Sequence, residues 1–488
     1  MADFGFVGDA YTSASIYQDD QELINWYVQI DERKSGAQAY AGSTEERGRK
    51  TLYPTPGILL KKTSSTTAEV RALYTVSGGA SMYAVVGSSV YKYDTSFNET
   101  LVGTLSSSIG PVCITDNSVV VYFTDGANRY ACNLDGTGFS QAIPSDGAFT
   151  GGVRCDIVDN YIIYNRQNSQ QWGCTNALAA ASGALNFSSK DGSSDNLVAP
   201  IVANREVFLL GERTGEVWSD VGAFPFPFSR SSGTSMQHGC AAPFSIARLG
   251  EYFAFLSKDD RGQCVIVRMV GYQPKRISTF AVESAISKYT TVSDAIAYSY
   301  QFGGHEFYVL TFPTADATWC YDLSTELWHK RAWRDSNNIL HRHRSNCATF
   351  FNGQTIVGDF ENGNLYQLTN SVYTDNGDII PCIRRAPHLV KDYDRVFYQS
   401  LQIYFQPGVG LPSGQGSDPQ AMLKWSDDGG STYGNEHWTS IGKIGRYKNR
   451  AIWRQLGTAR DRIFEVTVTD PVNRVIVSAE LNAQPGAW

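Results

Sequence analysis

Trp425 to Tyr433 reads W-S-D-D-G-G-S-T-Y, and within it Ser426, Asp428, Gly430, Thr432 and Tyr433 form the pattern S-x-D-x-G-x-T-aromatic. Hydroxyls and a carboxylate at that spacing can bond the backbone of a tight turn, while Gly429 and Gly430 can take positive φ. The pattern predicts a structural hairpin, with these five residues as its staple and not as reacting groups. Cations follow: Lys443, Arg446, Lys448, Arg450, Arg454, Arg460 and Arg462, opposed within that stretch only by Asp461. Such a run contacts phosphates or an acidic partner, or else forms a solvated strand face. Arginine mixed with tryptophan is also what protein interfaces select. Lys443, Arg446, Lys448, Arg450, Trp453 and Arg454, with Trp26 and Tyr27 near the start of the chain, are therefore the candidate subunit or adaptor interface.

No constellation for catalysis is evident. His329-Lys330-Arg331 and His341-Arg342-His343-Arg344 crowd three of the seven histidines among cations that would repel a metal, so an exposed loop is expected there. The patterns G-x-S-x-G, G-x-G-x-x-G, H-E-x-x-H and the phosphate-binding Walker loop do not occur. Asp259-Asp260 are neighbours in a turn and cannot oppose one another across a substrate as a hydrolytic pair must. The nine cysteines are spread singly, without a C-x-x-C pair, and read as buried free thiols. The reading is a protein that is not an enzyme, with no catalytic, cofactor-binding or metal site.

The elements that must position the hairpin and its basic successor are strands. The 488 residues include 45 Gly, 27 Tyr, 24 Phe and 10 Trp against 5 Met, a balance that favours strands and tight turns over helices and gives an all-β expectation. A net charge of −7 argues against a general nucleic-acid-binding surface. Met1 to Tyr17 carries no Lys or Arg, so no signal peptide is expected, and no apolar run is long enough for a membrane span. From Val70 a unit of short apolar strands separated by Gly-containing turns recurs about seven times at roughly 40-residue spacing, the period of four-stranded propeller blades. Six or seven blades are expected. A Ser/Thr linker at Thr63 to Thr67 and a composition shift after Asn370 divide the chain into 1–67, a propeller-like domain 68–374 and a β-rich domain 375–488. Asp31 to Lys50 is a polar stretch of alternating charge, expected as an exposed arm.

Several pieces, in order, resemble the tail-hub or nozzle proteins of short-tailed bacteriophages, the phage stabilisation or packaged-DNA stabilisation family. They are Asn25-Trp26-Tyr27-Val28, Leu52-Tyr53-Pro54-Thr55-Pro56-Gly57, Leu73-Tyr74 to Tyr93-Asp94, Gly358-Asp359 to Leu368, Trp425 to Gly434, Gly445-Arg446-Tyr447 and Ile452-Trp453-Arg454-Gln455-Leu456-Gly457. The resemblance implies a virion protein assembled in the host cytoplasm as a homo-oligomeric ring, a hexamer, beneath the portal and its adaptor. It implies a lumen through which double-stranded DNA passes without sequence recognition, retention of the packaged genome, docking of tail spikes, fibres or a needle, and a platform built from both chain ends. The Ser426 to Tyr433 pattern alone also resembles the box on hairpin turns of sialidase-type propellers, which gives the alternative of a glycan-binding or glycan-cleaving propeller. The arginine cluster and Tyr–Glu pair such enzymes use are not assignable here.

Overall fold

The strands of blade 1 show why this sequence makes propeller blades. Met82–Val86 is buried at all five positions, because alternate side chains serve two different cores. Met82, Ala84 and Val86 pack with Phe351, Ile356 and Leu365 of the last blade. Tyr83 and Val85 pack with Val121 and Phe123 of the second. A strand buried on both faces loses the polar–apolar alternation of a half-exposed one, and the continuous apolar run results.

In the computed structural model, residues 4–31, 50–142, 146–258, 262–392 and 394–486 are described; Asp259-Asp260 and the Asp31 to Lys50 stretch, apart from its ends, lie outside them. Six antiparallel blades span 70–104, 113–141, 155–189, 197–230, 239–276 and 296–330. Inner strands begin at 70, 113, 155 and 197, steps of 43, 42 and 42. The seventh blade has Ser345–Phe351, Gln354–Asp359 and Asn364–Thr369, and its outer strand is Gly57–Thr63 from the N-terminal segment, paired antiparallel with Asn364–Thr369. The blade count is therefore seven. An apolar core fills every seam between neighbours, that between blades 5 and 6 running on into the sandwich, and the seam between blades 7 and 1 is filled too, so the ring is closed.

Strand Gly57–Thr63 corrects the division at residue 67: it belongs to the propeller. Hydrogen-bonded closure by a distant strand leaves no local signature, because a pattern of period two states burial and not partner.

The rest of the chain makes a two-sheet sandwich from both ends. One sheet holds Asp20–Ile24, Cys382–Arg385, Asp461–Val468, Gln420–Ser426 and His437–Ser440; the other holds Trp26–Ile30, Lys50–Pro54, Ile476–Pro485, Val396–Phe405 and Ala451–Arg454. The chain changes sheets at Asn25, whose φ of 56° lies in the left-handed region that Asn tolerates. Its amide donates to Ala332 O at 2.9 Å and Pro381 O at 2.8 Å and accepts from Ala332 N at 3.0 Å, stitching blade 6 to the sandwich. A parallel pairing of Ile24 with Lys330 runs the first sheet on into blade 6. No helix of the described residues is long and apolar enough to cross a membrane.

Two guanidiniums connect blades that are not neighbours. Arg154, ahead of the inner strand of blade 3, donates to Pro243 O at 2.8 Å and Ile246 O at 3.2 Å in the short turn that interrupts blade 5. Arg248 of blade 5 bonds both oxygens of Asp156 in blade 3 at 3.1 Å. Arg248 also donates to Val202 O of blade 4 at 2.8 Å, so the three blades are tied in sequence.

Candidate assembly surface

The basic run lies in the loop 441–450 and the strands on either side of it. Gly442 and Gly445 take φ of 124° and 81°, which lets the loop double back on itself. Asn449 ties it down by donating to Ser440 O at 2.7 Å, and Ile441 N donates to Pro419 O at 2.7 Å. Tyr447 lies over Gly408 and the Ile444 backbone over Gly410, positions where a Cβ would come within 2.6 and 2.8 Å of them. With those glycines beneath, Tyr447 stays 71% exposed, Trp438 60% and Ile444 58%.

Lys443, Arg446, Lys448, Arg450 and Arg454 are all exposed. Lys443 reaches Asp418 at 3.5 Å, and that pair is solvent-screened and worth little. The other four have no ion-pair partner among the described residues. Asp461, the one acid in the run, is held by His388 Nδ1 at 2.9 Å. Four cations without an ion pair among the described residues thus share this loop and its flanking strands with three exposed apolar side chains.

Arg462, counted with the surface run from sequence, is interior. Its Nε and Nη2 bond the two oxygens of Asp427 at 2.6 and 2.7 Å, and its guanidinium lies 4.5 Å from the Tyr398 ring and 5.3 Å from Trp425. Trp425 stacks in turn on His437 at 4.6 Å. Three candidate interface residues are likewise corrected. Trp26 is 0% exposed, with Nε1 donating to Arg474 O at 2.9 Å; Tyr27 packs edge-on against Phe307 of blade 6; Trp453 donates to His437 O at 2.8 Å. Their aromatic bulk fills this chain's own core, because the two ends of the chain meet there.

The hairpin reading holds, atom by atom. Ser426 Oγ donates to Asp428 Oδ1 at 2.6 Å and accepts from Gly430 N at 2.9 Å. Thr432 N and Oγ1 donate to the two oxygens of Asp428 at 2.9 and 2.5 Å. Gly429 and Gly430 take φ of 72° and 94°. The bonds from Ser426 and then Thr432 hold the Asp428 carboxyl down to about 2. Tyr433 lies beneath Arg385 and Lys424, at 5.1 and 5.2 Å, and Arg385 bridges Asp20 and Glu465 at 2.6 and 2.9 Å. The Ser426, Asp428 and Thr432 side chains are spent on the turn, and the Tyr433 ring supports the Arg385 that reaches the N-terminal strand. Sequence gave no hint that Tyr17 buttresses the tip, with its hydroxyl 3.2 Å from Ser431 Oγ and its ring against Gly429.

The histidine-rich stretches are not an exposed loop. His329 and His343 are buried, and desolvation followed by the Arg331 charge lowers both, His329 to about 3 and His343 well below its ordinary value. His341 is half-buried and pairs with Asp316 at 2.6 Å, which raises it. Among the described residues no three His, Cys, Asp or Glu converge as a metal site, and the nine cysteines are free thiols, all buried or half-buried.

The fold is a closed β-propeller carrying a β-sandwich, and the family models that match both parts identify a bacteriophage structural protein. The chain belongs to the bacteriophage P22 Gp10 family. Residues 43–373 match the phage stabilisation model described as "Bacteriophage P22 Gp10, beta-propeller", and residues 382–484 match "Bacteriophage P22 Gp10, beta-sandwich". The comparison with curated proteins gives no match. Among solved structures, the WD40 domain of Neurospora crassa Pan2 is similar with a TM-score of 0.42 and 6% identity, over 65% of this chain and 95% of that one.

Proposed function

We propose that the chain is a non-enzymatic tail-hub component of a short-tailed phage virion. In this reading copies of it form a ring, a hexamer, that docks to the portal adaptor, carries spikes, fibres or a needle, and retains the packaged duplex. The observation that carries the docking reading is the loop 441–450 with its flanking strands, where four unpaired cations surround exposed Trp438, Ile444 and Tyr447. Arginine and aromatic groups so placed anchor protein interfaces.

The lumen lies between subunits in this reading and not along the propeller axis. Arg154 and Arg248, at the inner strands of blades 3 and 5, tie those blades to one another, which supports a passage formed by the ring of copies. The net charge of −7 suits a conduit, since many cationic phosphate contacts would hold DNA instead of letting it slide.

The test is native mass measurement of the chain with its adaptor, for the wild type and for Arg450→Glu/Arg454→Glu. The wild type is expected to assemble into a ring on the adaptor, and the double variant to remain folded and unassembled. A wild type that stays monomeric with adaptor present, or a double variant that assembles normally, removes this reading.

A further inference from the structure

Where blades 6 and 7 meet the sandwich, buried donors outnumber acceptors. Arg331 continues the outer strand of blade 6, its N–H bonding Thr318 O at 3.1 Å, and this register sets its side chain on the face that carries Tyr298, Cys320 and His329. Arg331 is 2% exposed. Its Nη2 donates to Pro56 O at 2.9 Å, whereas Nε and Nη1 find no acceptor among the described residues.

His343, 1% exposed, lies within reach of the same charge. Its Nδ1 accepts the Ser345 backbone N–H at 3.3 Å and lies 2.5 Å from Ser345 Oγ, which also meets Tyr298 Oη at 2.5 Å. An accepting Nδ1 puts the ring proton on Nε2, and that N–H has no protein partner among the described residues. The Tyr300 hydroxyl, on the same blade face, and Arg474 Nη2 are likewise unmatched, with Asp375 Oδ1 as the acceptor left over.

The charges do not balance either. Arg344 is neutralised by Asp359, Glu361 and Asp378 at 3.4 to 3.6 Å. Arg331 and Arg474 are buried guanidiniums with no ion pair among the described residues, and Asp375 is the carboxylate that feels both. Counting the buried groups, Arg331, Arg344 and Arg474 stand against Asp359 and Asp375, since Glu361 and Asp378 are about half exposed and screened by water; one positive charge is left buried, which a protein interior does not tolerate uncompensated.

We propose that this junction binds one small monovalent anion of the halide class, chloride in the cell, held by the Arg331 guanidinium with His343 Nε2–H and the Tyr300 hydroxyl. A single charge matches the imbalance, and a sphere accepts donors converging from two blades where a planar oxyanion would require a fork. Bound there, the anion fastens the propeller to the sandwich.

The test compares unfolding temperatures of the full chain in potassium chloride or bromide with those in potassium gluconate at equal ionic strength, gluconate being too large to enter. Chloride at tenfold its dissociation constant is expected to raise the midpoint by roughly 1–2 °C, and Arg331→Met to abolish the rise. A crystal grown in bromide should show an anomalous peak beside Arg331. Should Arg331→Met fail to fold, Tyr300→Phe keeps the ring packing and removes one donor, and several-fold more chloride should be needed for the same rise. No halide-specific rise in the wild type, a rise that persists in Arg331→Met, an unchanged chloride requirement in Tyr300→Phe, or bromide absent from the junction overturns the proposal.

Discussion

At the scale of single residues, the buried imidazoles set how the fold responds to acid. An ordinary histidine titrates near 6.5, but His329 takes a proton in the folded chain only near 3 and His343 only far below its usual value. Between those limits the unfolded chain binds protons that the folded one refuses, so stability falls as pH drops below about 6.5, by about 1.4 kcal/mol per pH unit for each histidine. Asp375 opposes this: burial raises its carboxyl to about 6, so between 6 and its ordinary 3.8 the folded state binds the extra proton. One histidine is thereby offset and the other is not. Denaturant midpoints should decline from pH 6.5 to 4, and Asp375→Asn should steepen the decline. Arg462→Leu offers a second measurement. It removes the bond to Leu456 O, leaving a buried carbonyl unpaired, together with a pair to Asp427 that is discounted because Asp427 is 44% exposed. A loss of about 2–3 kcal/mol is expected by thermal unfolding. The turn of the hairpin box was legible because its hydrogen bonds are local, each spanning two to four residues. Arg462 and His343 were not, because a charged residue looks the same in sequence whether it meets water or a partner far along the chain.

At the scale of elements, the ring depends on Gly57–Thr63, and at its first residue no side chain fits. A Cβ on Gly57 would lie 2.5 Å from Val372 O and 2.8 Å from Thr374 O, both backbone atoms that cannot step aside. Gly57→Ala should cost about 1–3 kcal/mol, typical of overpacking, read as a lower denaturant midpoint. Limited proteolysis should then cut first at the seam between blades 7 and 1. The blades were legible for the opposite reason from the closing strand. Steps of 43, 42 and 42 residues repeat in the chain itself, whereas the pairing of Thr63 with Asn364 crosses the whole propeller and repeats nothing.

At the scale of the whole molecule, the two domains cannot be separated by a cut between them. Trp26–Ile30 and Lys50–Pro54 complete a sheet whose other strands come after residue 395, and Trp26, Val28 and Leu52 are buried in a core those strands help to build. A chain ending at residue 374 is therefore expected to aggregate despite containing every blade, which size-exclusion chromatography of the soluble fraction would show; recovery of a monomeric propeller would contradict it. That the ends form one platform came from the family resemblance, and composition alone marked only where the propeller stopped. The same pairing bears on synthesis. Thr63 bonds Asn364 across 301 residues, so at typical translation rates of about 5–20 residues per second the closing strand waits roughly 15–60 s on the ribosome for its partner. Ile476–Pro485, which joins the N-terminal strands to the sandwich, is made later still. A chain that stops short of Ile476 thus cannot present the finished sandwich, and topology itself keeps the two ends apart until the ribosome has passed that strand.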